Sequence, residues 1–194
     1  MNLITRFYVA LSVAATFSFL VSPAFAENKK VTLSQAFQSI LYLPVYIAID
    51  NGFFSKQGLD VVKQTAGSPN AALSAVISGS ANFSLHGPEW TAIAASKGAP
   101  VNIIANVVNG IQTNPQDAIE IAKKEFPTLE PTVIESAVKR MIGDNVYPKT
   151  VEIAPDALKV AMTTQIAIGN LAEQPVYEKF VERRYITKAL QTTH

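Results

Sequence analysis

Three short polar stretches carry the side chains best suited to chemistry: Gln38-Ser39, the run 66–70 (Ala-Gly-Ser-Pro-Asn), and the run 86–89 (His-Gly-Pro-Glu). Each leads from an apolar run into helix-forming sequence, and in two of them a proline, Pro69 or Pro88, occupies a first helical position. A hydroxyl, amide or imidazole there lies beside main-chain N–H groups that have no partner inside the helix, at its partially positive end. Such a place can hold a small oxoanion or a polar head group. The candidate ligand-binding residues are therefore Gln38, Ser39, Ser68, Asn70, His86 and Glu89. Structural roles stand beside these. Ser68 suits an N-cap, Glu89 complements a helix dipole or could hold an amine, and His86 could simply bond its own loop. Tyr42 and Trp90 fit core or rim packing better than a stacking platform. None of the three stretches contains Lys or Arg, which favours a ligand held by dipoles over one held by a full positive charge.

Catalysis finds little in this sequence. No Ser/His/Asp pattern is present, one of the two histidines is the last residue, and there is no cysteine and no metal-ligand spacing. No catalytic residue, metal or cofactor is expected.

The elements that must position the loops follow from periodicity. Runs of strand length, β-branched or apolar, lie at 31–37, 59–65, 81–87 and 101–108. Between them, Pro44 begins a helix with Val45, Ala48 and Ile49 on one face. Ser68 and Pro69 begin a second, with Ala72, Leu73, Val76 and Ile77 as its stripe and Gly79 as its stop. Pro88 and Glu89 open a third, with Trp90, Ile93 and Ala94 inward and Gly98 at its end. Gly52 and Gly58 each fall where a helix must close in a left-handed turn, so residues 53–58 form a separate single turn with Phe53 and Phe54 at the corner. Strands alternating with single helices predict an open parallel α/β sheet, with ligand loops beyond the carboxyl ends of its strands. Further on, Asn114-Pro115 and Pro131 start helices with stripes Ala118, Ile121, Ala122 and Ile134, Ala137, Val138, Met141. A third helix carries Leu158, Ala161, Met162 and Ile166 inward.

The front of the chain speaks to compartment. Arg6, an uncharged apolar run over 7–21 and Ala24-Phe25-Ala26 predict a secretory signal peptide over 1–26, cleaved after Ala26. The run is short for a membrane span. Without Arg6, the 16 basic residues reduce to match the 15 acidic ones, leaving no charge footprint for nucleic acid. A free periplasmic or secreted protein is expected.

Residues 43–61, "LPVYIAIDNGFFSKQGLDV", continue through "AALSAVISGSANFSLHGPEWTAIAASKGAPVNIIANVV" at 71–108. Together with residues 31–42 they resemble the first lobe of the periplasmic solute-binding proteins of nitrate, sulfonate, taurine and thiamine-precursor ABC importers. The helical run after Asn114 and "PVYEKFVERRYITKAL" resemble later parts of the same family. The strand-rich middle that builds most of the second lobe is missing, and Gly110-Ile111 looks like a join. The resemblance implies an α/β fold like the type II periplasmic binding proteins, with 27–110 as the ligand-binding lobe and 111–194 as a helical segment completing it. Those later helices should cover the face that the truncated second lobe leaves open. It also implies a small-molecule solute and ABC permease subunits at the inner membrane as partners, and no nucleic acid. Two alternatives accompany it: a binding-dead remnant, and an enzyme like the pyrimidine-synthase branch, whose cysteine cluster this chain lacks.

Overall fold

A computed structural model describes residues 27–107 and 114–191; the expected signal segment and the join at Gly110 and Ile111 lie outside them. Strands β1 (Lys29–Gln35), β2 (Leu59–Thr65) and β3 (Phe83–Leu85) form one parallel sheet in the order β2-β1-β3. Helix α1 (Leu43–Asp50) joins β1 to β2, α2 (Pro69–Ile77) joins β2 to β3, and α3 (Pro88–Ser96) follows β3. Helices α4 (Pro115–Glu125), α5 (Pro131–Gly143), α6 (Pro155–Ala167), α7 (Tyr177–Phe180) and α8 (Arg183–Gln191) complete the described chain. Five helices, α2 to α6, open on proline, whose fixed φ is already helical and whose missing N–H would have had no intrahelical partner. Gly52 and Gly58 take φ of +66° and +72°, so α1 ends in a left-handed residue and the one-turn helix Ser55–Gln57 ends in another.

Apolar side chains collect in two clusters. The first joins Leu43, Tyr46 and Ile47 of α1 to Ala118, Ile119, Ile121 and Ala122 of α4, Ile134 and Val138 of α5, and Tyr147. The second joins Ala92 of α3 to Leu158 and Met162 of α6, with Leu171, Phe180, Val181 and Ile186. The helices after Asn114 thus divide. One set leans on α1 and the other on α3, so the two helices stand between much of the added layer and the strands.

Four expectations need correction. Ile77, expected on the inward stripe of α2, is exposed at the last position of the helix, where only Ala72 and Leu73 are buried. The run 101–108 forms no strand over its described residues. Ile103 makes a single parallel bridge to Val181, its N–H donating to Phe180 O at 2.7 Å while its carbonyl accepts from Glu182 N at 2.8 Å. A local apolar signal cannot reveal that a distant segment will take those main-chain groups. The face of α1 is also shifted: Leu43, Pro44, Tyr46 and Ile47 are buried, whereas Val45, Ala48 and Ile49 are half-buried. Its sequence is apolar almost all round, so periodicity left the orientation open. On α3, Thr91 and Ala92 are the buried residues, while Trp90, Ile93 and Ala94 are half-buried.

Candidate functional site

The chain leaves β1 for β2 on one side and later returns to place β3 on the other, so its direction of travel across the sheet reverses at β1. A crevice for ligands opens beyond the carboxyl ends of the strands at such a reversal. Main-chain bonds gather the three exits there. Ala36 N donates to Leu85 O at 3.0 Å, and Ala66 N donates to Gln35 O at 2.9 Å. The expected loops therefore depart from one row of residues, Gln35, Thr65 and Leu85.

Ser39, in extended conformation, caps the single turn Ile40–Tyr42, its Oγ accepting from Leu41 N at 3.2 Å. Ser68 caps α2, its Oγ accepting from Ala71 N at 3.1 Å. Each cap satisfies one orphan donor and keeps the hydroxyl hydrogen for a further acceptor. Asn70 is exposed on the first turn of α2. His86 is half-buried with both ring nitrogens engaged: Nδ1 is 2.8 Å from Gly87 O and Nε2 is 3.0 Å from Ser84 Oγ. A carbonyl only accepts, so Nδ1 carries the proton and, in the neutral ring, Nε2 accepts from the serine.

The Glu89 carboxylate folds back over Gly87. A Cβ at residue 87 would stand 2.3 Å from both carboxylate oxygens, so the glycine makes the room that lets the charge sit at the start of α3. That charge also reaches the first loop: the Tyr42 phenol is pushed above its ordinary value, first by burial and then by Glu89. Tyr42 and Glu89, from different loops, thus face one electrostatic environment. Gln38 turns away from this group, its Nε2 donating to the Glu125 carbonyl and lying 3.3 Å from Glu125 Oε2.

Beneath the first loop lies a polar network that sequence reasoning missed. Ser39 N donates to Tyr46 Oη at 3.2 Å, Tyr46 Oη donates to Gln35 Oε1 at 2.7 Å, and Gln35 Nε2 donates to Thr65 Oγ1 at 2.7 Å. Gln35 and Tyr46 are fully buried, and satisfied groups of this kind fix one arrangement of a core. Lys63 Nζ sits 4.0 Å from the centre of the Tyr46 ring and 2.5 Å from Glu125 Oε2. It is a cation within β2, so inspection of the loops alone overlooks it. The one visible signal was Gln35, a long polar side chain near the end of a strand-like run.

A groove of about 200 Å³ lies elsewhere, between α6 and the segment 174–180, lined by Leu158, Lys159, Met162, Gln174, Tyr177 and Phe180 among others. It shares no residue with the three loops.

A small parallel sheet with helices on its connections and polar loops along one edge is consistent with a binding-protein-like fold. Residues 40–126, somewhat under half of the chain, match the family model described as NMT1/THI5 like. That interval includes Ser68, Asn70, His86 and Glu89, begins just after Gln38 and Ser39, and extends past Gly110 and Ile111. Over 75 residues the chain is 31% identical to "Putative binding protein YtlA" of Bacillus subtilis (strain 168), a stretch making up 39% of this chain and 22% of that protein. The chain thus spans less than a quarter of that relative's length.

Proposed function

We propose that this chain is the solute-binding component of an ABC importer, holding a small organic or oxoanionic solute of the nitrate, sulfonate, taurine or thiamine-precursor type without catalysis. The observation that carries the proposal is the gathering of three polar loop exits around the end of β1, within and beside the region of family likeness. Ser39 and Ser68 would offer hydroxyl hydrogens, Asn70 an exposed amide at the start of α2, and the first turns of α2 and α3 main-chain N–H groups. His86 and Glu89 would shape the polarity of the third loop. Gln38, whose amide is bound to Glu125, would hold the first loop in place rather than touch the solute. Export to the periplasm with cleavage after Ala26, which would leave Glu27 as the first residue on N-terminal sequencing, and docking on permease subunits complete the proposal.

We further propose that the second lobe is shortened near Gly110, so the solute is not clasped between two lobes. Water then competes for each hydrogen bond, and little of the ligand surface is buried. Losing several contacts of about 1 kcal/mol each moves affinity from the micromolar range toward about millimolar. Calorimetry with nitrate, taurine, alkanesulfonates and thiamine precursors tests this. Weak, saturable heat with one of these classes is the expected result. Micromolar binding would contradict the shortened lobe, and a folded chain silent toward every class would replace the importer proposal with the binding-dead alternative.

A further inference from the structure

The loop from Gln38 to Tyr42 is held from outside the sheet by two residues far along the chain. Glu125, at the end of α4, accepts from Gln38 through its carbonyl and stands within 3.3 Å of the same amide through its carboxylate, which also pairs with Lys63 of β2. Tyr147, just after α5, is buried in the first cluster and donates its Oη hydrogen to Ile40 O at 2.8 Å. Tyr46 holds the same loop from below through Ser39 N. Helix α4 is itself fixed along α1: Asn51 Nδ2 donates to Asp117 Oδ2 at 2.7 Å, and Lys124 pairs with Asp50 at 2.6 Å.

We propose that residues 114–147 form a brace whose two positioning residues, Glu125 and Tyr147, set the conformation of the first binding loop, with Gln38 serving as the latch to the brace. The role of that loop in holding solute rests on the function proposed above; the brace itself does not. Geometry separates this arrangement from general packing. Glu125 and Tyr147 reach different points of one short segment, Gln38 and Ile40. Neither has a hydrogen bond to α2 or α3. The Lys63 ammonium lies between the Tyr46 ring and the Glu125 carboxylate, so the inner support of the loop and the outer one meet at a single charge. A segment tied at three points and otherwise partly exposed is a unit able to open locally while the sheet stays closed.

Hydrogen exchange on the full chain, without any ligand, tests the brace separately from solute binding. Tyr147→Phe keeps the ring and removes only the donor to Ile40. Glu125→Ala removes both carboxylate contacts, and Glu125→Gln restores an acceptor of the same shape. Main-chain amides of 39–43 should exchange about fivefold to tenfold faster in Tyr147→Phe and Glu125→Ala, with partial recovery in Glu125→Gln and no change in α2. Unchanged exchange at 39–43, or an equal rise in α2 and β1, would overturn the proposal, since a merely structural loss would loosen the fold throughout.

Discussion

Replacing Tyr46 with alanine should lower the unfolding free energy by about 3–5 kcal/mol, the usual range for deleting a fully buried ring. Tyr46 is one of the largest wholly buried side chains among the described residues, and its ring touches the cluster that joins α1 to α4 and α5. Its hydroxyl contributes separately. Tyr46→Phe leaves Gln35 Oε1 and Ser39 N without their partner and should cost about 1–3 kcal/mol. The same hydroxyl predicts a pH effect. Burial, followed by smaller influences including the Glu125 charge, pushes the Tyr46 phenol up to about 12. The folded chain therefore retains a proton that the unfolded chain releases near the ordinary value of 10.0. Stability is fully present below pH 10 and falls as pH rises from there toward 12. Burial raises Tyr147 in the same sense, so part of the alkaline loss persists in the phenylalanine variant. Urea unfolding at pH 8 and pH 11 checks both effects, and an alkaline slope identical in wild type and Tyr46→Phe would contradict the assignment.

The second large effect belongs to the other cluster. Met162 is almost wholly buried on α6, packed with Leu158, Leu171 and Phe180, and also lines the groove of about 200 Å³. Met162→Ala should cost about 2–5 kcal/mol, at the lower end if that groove lets neighbouring side chains settle inward. Its footprint should be local. Amides of α6 and of 177–181 should exchange faster, while those of α4 and α5, in the first cluster, change little. A loss below about 1 kcal/mol in denaturant titration would mean that α6 is not held by this cluster.

The parts of the fold that could be read from the sequence were those set by local chemistry. Pro69, Pro88, Pro115 and Pro131 marked helix starts because proline fixes φ within its own residue, and Gly52 and Gly58 marked left-handed turns for an equally local reason. The stripes of α4 and α5 were readable because polar residues occupy most of their other faces. Helix α1 offered no such contrast, and its buried face is decided by Ala118 and Ile119, which arrive some seventy positions later. The same holds for Ile103, whose main-chain groups meet Phe180 and Glu182, and for Asn106, whose N–H meets Val151.

In the candidate site, the capping geometry of Ser68 followed from the Ser-Pro pair. The pairing of Lys63 and Gln38 with Glu125 depends on tertiary approach across the whole first half, which no spacing encodes. Glu89 folding over Gly87 lies between these cases. The glycine was visible, but the use made of its empty side was not.

The central claim, that the loops at the carboxyl edge of the sheet hold the solute, is tested most directly by amide chemical-shift mapping of the full chain. Nitrate, taurine and a thiamine precursor should be titrated separately to millimolar concentration, since weak binding still moves shifts in proportion to occupancy. The predicted result is a saturable set of shifts at Ser39, Ser68, Asn70, His86 and Glu89 with one of these solutes, leaving α5 unmoved. Shifts gathered instead on Lys159, Met162 and Gln174, or none with any of the three, would contradict it.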